Sequence, residues 1–139
     1  RNQPPDAPPT GAPVAVTPPR PGARWRAKRG YPPEGGPLLK HVAAKTGQRV
    51  CRIGNMVSVD RHPVAFALVR DSRGRPLPVW QGCRRLRSDE FLFMNPSVAD
   101  SMDGRYFGPL PATTLLGRAT PMLTRDRANG PLVWRGIAP

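Results

Sequence analysis

Apolar and polar positions in this chain alternate over short runs separated by Pro/Gly breaks, which predicts strands and turns rather than long helices. The run LLKHVAA (Leu38–Ala44) shows the pattern best. In an extended chain Leu38, Lys40, Val42 and Ala44 share one face, and Leu39, His41 and Ala43 the other. VAVT (Val14–Thr17) is a shorter strand candidate ended by Pro18 and Pro19. RVCRIGNMVSV reads as a hairpin around Gly54-Asn55, two residues that accept the positive φ of a tight turn. PVAFALV, PVWQGCRRL, EFLFMN and ATTLLGRATPML supply further strand candidates, the last with a bend at Gly117. DSRGRP is a turn, and MNPSVADSMDGRYFGPLP is loop-rich. One short helix is predicted over GARWRAKRG (Gly22–Gly30), two turns long with a glycine at each end. The last dozen residues carry little pattern. The fold class is therefore mainly β, a strongly coiled antiparallel sheet with one short helix. A Pro-rich arm or linker occupies residues 1–13, and the folded domain residues 14–139.

Composition supports that class. The 139 residues are 38% hydrophobic and include 20 prolines, about three times the usual share. None of their apolar runs reaches about 18 residues, so no membrane-spanning helix is expected among them. The net charge of +13 reads either as an Arg-rich genome, since arginine stands almost everywhere for lysine, or as attraction to an anionic surface, nucleic acid or lipid head groups, and charge alone does not choose. The basic residues are scattered singly and in pairs, aromatic residues are few, and neither an RNA-binding aromatic motif nor zinc-finger spacing occurs. Nucleic acid is not expected as a partner. His41, His62, Cys51 and Cys83 have no metal-ligand spacing, so neither metal nor cofactor is expected. The two cysteines read either as buried free thiols or as one disulfide.

Lys40 is the residue the pattern does not explain. Of 22 basic side chains only Lys28, Lys40 and Lys45 are lysines. Lys40 lies between apolar neighbours on its own strand face. If that face is buried, loss of hydration lowers the amine pKa and makes it a candidate general base for a serine hydroxyl. If the face is half covered, the amine reaches water along its own stem.

A second stretch bears on that choice. SMDGRYFGPLP (Ser101–Pro111) resembles the Ser-x-Asp-Ser-Arg-Tyr-aromatic-Gly box of type I signal peptidases. LLKHVAAKTGQRV resembles that family's Lys box, in the same order and spacing. The likeness is greatest to the TraF-like signal peptidases of conjugative-transfer systems. It runs from VAVTPP through ARWRAKRGYPPEGGPLLKHVAA, VCRIG and GRPLPVWQGCRRL to RYFGPLPATTLLGRATP.

The resemblance implies the coiled β-sheet domain of signal peptidases, at the periplasmic face of the inner membrane. It implies a Ser/Lys serine peptidase that processes secreted or membrane protein precursors, pilins among them. The membrane surface would be reached through an anchor that these residues do not contain. Lys40 would be the general base and Ser101 would orient its amine. Asp103 and Arg105 would form a structural ion pair beside the site. Leu38, Leu39 and Val42 would help wall shallow pockets for small substrate residues. An oxidising compartment, together with the likeness around VCRIG and GCRRL, favours a Cys51–Cys83 disulfide.

The chain departs from the family at the nucleophile. The family places a serine ahead of the Lys box, but no serine lies between Arg1 and Lys40, and the first is Ser58. PPDAPPTG (Pro4–Gly11) looks like a distorted Ser box with Asp6 at the serine position. A carboxylate cannot form the acyl-enzyme, and beside Lys40 it would keep the amine protonated. The resulting expectation is a signal-peptidase-type domain that is inactive as this chain. The alternative is a non-catalytic binding or assembly module on the same fold. A smaller departure is Gly104, where the family commonly has serine.

Overall fold

The computed structural model describes residues 7–17 and 37–119, and the backbone of two further strands, 121–125 and 132–137. Asp6 and the helix predicted over Gly22–Gly30 lie outside the described residues. Eleven strands are described: β1 Pro13–Val16, β2 Leu38–Ala44, β3 Arg49–Ile53, β4 Met56–Val59, β5 His62–Phe66, β6 Gly82–Arg85, β7 Glu90–Met94, β8 Leu110–Pro111, β9 Leu115–Arg118, β10 Pro121–Arg125 and β11 Leu132–Ile137. A single helical turn, α1, spans Gly104–Phe107, and a 3₁₀ turn spans Ala112–Thr114. The loop-rich reading of MNPSVADSMDGRYFGPLP thus missed α1 and β8.

The strands form a five-stranded sheet in the order β8-β7-β2-β1-β9, a four-stranded sheet β5-β4-β3-β6, and the pair β10-β11. Every pairing between these strands is antiparallel. The expected mainly β, antiparallel class is what the chain adopts. Before β1 enters the sheet, the Gly11 amide donates to Val42 O and the Val42 amide to Ala12 O, so the end of the Pro-rich stretch is docked on β2.

Two apolar cores flank β7, whose EFLFM run is buried on both faces. Leu92 and Met94 join Val50, Val57, Val59 and Leu86 in one core. Phe91 and Phe93 join Val14, Val16, Leu38, Val42 and Leu110 in the other, their own rings stacked 5.5 Å apart. β2 alternates as its sequence predicts up to Val42, with Leu38, Lys40 and Val42 buried. A register shift between Val42 and Ala44 then turns Ala44 into the first core.

One hairpin turn differs from expectation, and a second carried no sequence signal. At Gly54-Asn55 only the glycine has positive φ, 61°. At β4–β5 the turn residues Asp60 and Arg61 both have positive φ (48° and 70°) without any glycine. The Asp60 carboxylate supports that turn by accepting from the Arg49 amide and Gln48 Nε2. Those hydrogen bonds, with the Arg85 and His62 charges, hold its pKa below the usual carboxylate value despite some loss of hydration.

Cys51 and Cys83 face each other across the β3–β6 pair and form a disulfide. Among the described residues no helix is long and apolar enough to cross a membrane, and no cluster of side chains is suited to hold a metal ion.

Candidate active site

β2 carries Lys40 into the second core, where the side chain is only 6% exposed. Its amine donates to Ser101 Oγ at 3.0 Å, and among the described residues that is its only hydrogen bond. A cavity of about 10 Å³, room for roughly one water, opens between Lys40, Val16, Leu38, Phe93, Phe107, Leu110 and Asp103. Burial lowers the Lys40 pKa from 10.5 to about 8. The Asp103 carboxylate pulls it back up, and the Arg105 charge adds to the lowering. At pH 7 about a tenth of the molecules therefore carry a neutral amine, and at pH 8 about half.

Ser101 follows β7 on a loop that one buried ion pair fastens. Asp103 caps α1 by accepting from the Arg105 amide, and its two oxygens accept from Arg105 Nε and Nη2, both at 2.9 Å. Asp103 and Arg105 are each 1% exposed. The guanidinium also donates to the carbonyls of Asn95, Val98, Ala99 and Phe66. Burial alone would lower the Arg105 pKa, but the Asp103 hydrogen bond and charge hold it above its ordinary value. This pair is unlike a solvated surface bridge. It spends its donors on loop carbonyls, so the loop cannot lift without stranding a buried charge.

Gly104 sits where no side chain fits. A Cβ there would meet Leu92 Cδ1 at 2.6 Å and Phe93 O at 2.8 Å. The absence of the usual serine at this position is thus a packing requirement of this chain. Glycine lets α1 lie directly on the β7 backbone.

Of the residues singled out from sequence, the structure brings Lys40, Ser101, Asp103, Arg105 and Leu38 together. Val42 lies deeper in the core and Leu39 on the other face of β2. Three residues of the site were missed. Asn95 donates from Nδ2 to Leu39 O and Ser101 Oγ, and its amide donates to Asp103 Oδ2. Arg52, 1% exposed, donates from Nη1 to Arg105 O at 2.6 Å. Trp80 Nε1 donates to Gly104 O. Asn95 precedes a proline and reads as a turn residue, and Arg52 reads as an ordinary polar strand position. Neither carries a local signal for its long-range contact.

Comparison with known proteins places this geometry in context. Residues 4–123 match the family model "signal peptidase, peptidase S26". The chain is 41% identical over 121 residues to the probable conjugal transfer protein TraF of Sinorhizobium fredii, a match covering 80% of this chain and 62% of that protein. It is 44% identical over 92 residues to the conjugal transfer protein TraF of Agrobacterium fabrum, covering 65% of this chain and 51% of that protein. A plasmid transfer protein TraF of Escherichia coli is 35% identical over 124 residues, covering 82% and 70%. The chain thus spans 62% and 51% of the first two relatives. A signal peptidase I of Enterococcus faecalis aligns in structure with a TM-score of 0.46 at 14% identity, covering 82% of this chain and 97% of that one.

Proposed function

Since this chain belongs to the signal peptidase family, peptidase S26, we propose that it is a peptidase-type domain of a conjugative-transfer system in the cell envelope. In it Lys40 and Ser101 form the base half of a Ser/Lys site. The observation that carries this reading is the buried Lys40 amine, with a pKa of about 8, hydrogen-bonded to Ser101 at 3.0 Å. A structural lysine gains nothing from such a place. Burial penalises its charge, and the Asp103 carboxylate that would compensate is itself engaged by Arg105.

In the proposed reaction a serine hydroxyl attacks the scissile carbonyl of a precursor's signal peptide. The neutral Lys40 amine takes the hydroxyl proton and then delivers it to the leaving amine. An acyl-enzyme forms, and water releases it with Lys40 again as base. Ser101 holds the amine in place, and the Asp103–Arg105 pair holds the loop that carries Ser101. Leu38, with Val16 and Phe93, walls the apolar crevice beside the amine, where a small substrate side chain would sit. The substrate is a secreted or membrane precursor, pilin among the candidates, met at the periplasmic face of the inner membrane. The attacking serine is the part this chain does not provide ahead of Lys40. With Asp6 at the proposed serine position, the 139-residue chain does not turn over.

The lack of that serine also favours a second reading, a non-catalytic module that binds precursor without cutting it. Incubating the chain and an Asp6→Ser variant with a signal-peptide-bearing precursor, each with and without Lys40→Ala, separates the two. The peptidase reading predicts no cleavage by the unsubstituted chain and Lys40-dependent cleavage by Asp6→Ser. Precursor binding with no cleavage by either chain would support the binding module. Cleavage by the unsubstituted chain would sink the assignment of the missing nucleophile.

A further inference from the structure

Among the described residues the Lys40 amine has one hydrogen-bond partner, Ser101 Oγ. The lysine side chain is long and turns about several bonds, so a single hydrogen bond to Ser101 fixes the amine only as well as Ser101 is itself fixed. Asn95, at the end of β7, supplies that second constraint. Its Nδ2 donates to Ser101 Oγ at 3.3 Å and to Leu39 O at 3.1 Å. A carbonyl oxygen can only accept, so the Leu39 contact settles which edge of the amide faces β2. The Oδ1 edge then faces His41 Nδ1 at 3.2 Å.

The contacts close a ring. It runs from Lys40 Nζ to Ser101 Oγ, to Asn95 Nδ2, to Leu39 O, and back through the peptide bond between Leu39 and Lys40. The amine is thereby tied at a set distance from its own backbone, although its partner lies 61 residues along the chain. The Asn95 backbone is held separately, with its amide on Asp103 and its carbonyl on Arg105. Removing the side chain therefore opens the ring and leaves the ion-pair clamp standing.

We propose that Asn95 is a positioning residue of this site, holding Ser101 against the Lys40 amine by tying the Ser101 hydroxyl to the β2 backbone. The proposal rests on the reading of Lys40 as the base. It acts through Ser101 and touches no reacting atom.

The test is an NMR titration of the lysine ¹³Cε signals in the full chain, as parent, Asn95→Ala, Ser101→Ala and the double variant. In Asn95→Ala the freed amine gains water, and the Lys40 midpoint should rise by about half a unit or more toward its ordinary value. In the Ser101→Ala background the same substitution should produce no further change. Asn95→Val, which also lacks the amide but fills its space, is read the same way if the alanine variant does not fold. A Lys40 midpoint unchanged in a folded Asn95 variant would overturn the proposal, as would an equal change with and without Ser101. These outcomes, with the parent near 8, remove this proposal alone. A parent titrating near 10.5 removes the base reading as well.

Discussion

Replacing Arg105 by lysine should cost this protein far more than the conservative label suggests. The guanidinium makes six contacts: two to the Asp103 carboxylate, and one each to the carbonyls of Asn95, Val98, Ala99 and Phe66. An ammonium has three donors at one point and cannot span them. At least half of those acceptors lose their partner in a place where Arg105 is 1% exposed. Stranding a buried polar group costs roughly 1–3 kcal/mol, and breaking a buried ion pair roughly 3–5 kcal/mol. The expected loss for Arg105→Lys is about 3 kcal/mol or more. Arg84→Lys is the internal control. The Arg84–Glu90 bridge has a similar length, 2.6 Å, but the Arg84 side chain is 45% exposed, so that change should cost under about 0.5 kcal/mol. Urea unfolding of both variants measures the difference from midpoints at constant slope. Hydrogen exchange should quicken in Arg105→Lys at the amides of 97–103, the loop that presents Ser101. A loss under about 1 kcal/mol, or equal losses in the two variants, would refute the view that this guanidinium anchors the loop.

Lys40→Met should be more stable than the parent at pH 7, by up to about 3 kcal/mol less roughly 1 kcal/mol for the lost Ser101 hydrogen bond. Below pH 8 the amine is charged in folded and unfolded chains alike, so the folded parent bears the full burial penalty. Between about pH 8 and 10.5 the unfolded chain binds more protons, the parent gains stability relative to the variant, and the advantage disappears. A stability difference independent of pH would contradict this. Gly104→Ala should lose about 2 kcal/mol from overpacking, because Phe93 O is backbone and cannot swing away. An unchanged thermal midpoint would mean that α1 does not rest on β7. Reducing Cys51–Cys83, which closes a separation of 32 residues, should lower stability by about 3–4 kcal/mol. A urea midpoint insensitive to reductant would count against that.

Much of the β framework was legible because alternation and turn chemistry are local. LLKHVAA predicted both its strand and the inward face of Lys40, and the Gly54-Asn55 hairpin fell where its residues place it. The Asp60-Arg61 turn was not legible. It has no glycine, and the hydrogen bonds that support it come from Arg49 at the start of β3 and from Gln48 just before it. The burial of β7 on both faces was equally hidden, since an apolar run does not say how many cores it separates. The sequence identified Lys40, Ser101, Asp103 and Arg105 as a candidate set only through resemblance to a family. The closeness of Lys40 to Ser101 depends on β2 pairing with β7, a contact between distant parts of the chain. Asn95 and Arg52 stayed hidden for the same reason, as their partners Leu39 and Arg105 lie 56 and 53 residues away.

The Lys40 pKa tests the account most directly. The chain has three lysines, Lys28, Lys40 and Lys45, so ¹³Cε signals can be assigned by comparison with Lys40→Met. One signal should titrate with a midpoint near 8 and vanish in the variant. Three signals all titrating near 10.5 would contradict it, because an amine fully charged at neutral pH cannot serve as the base.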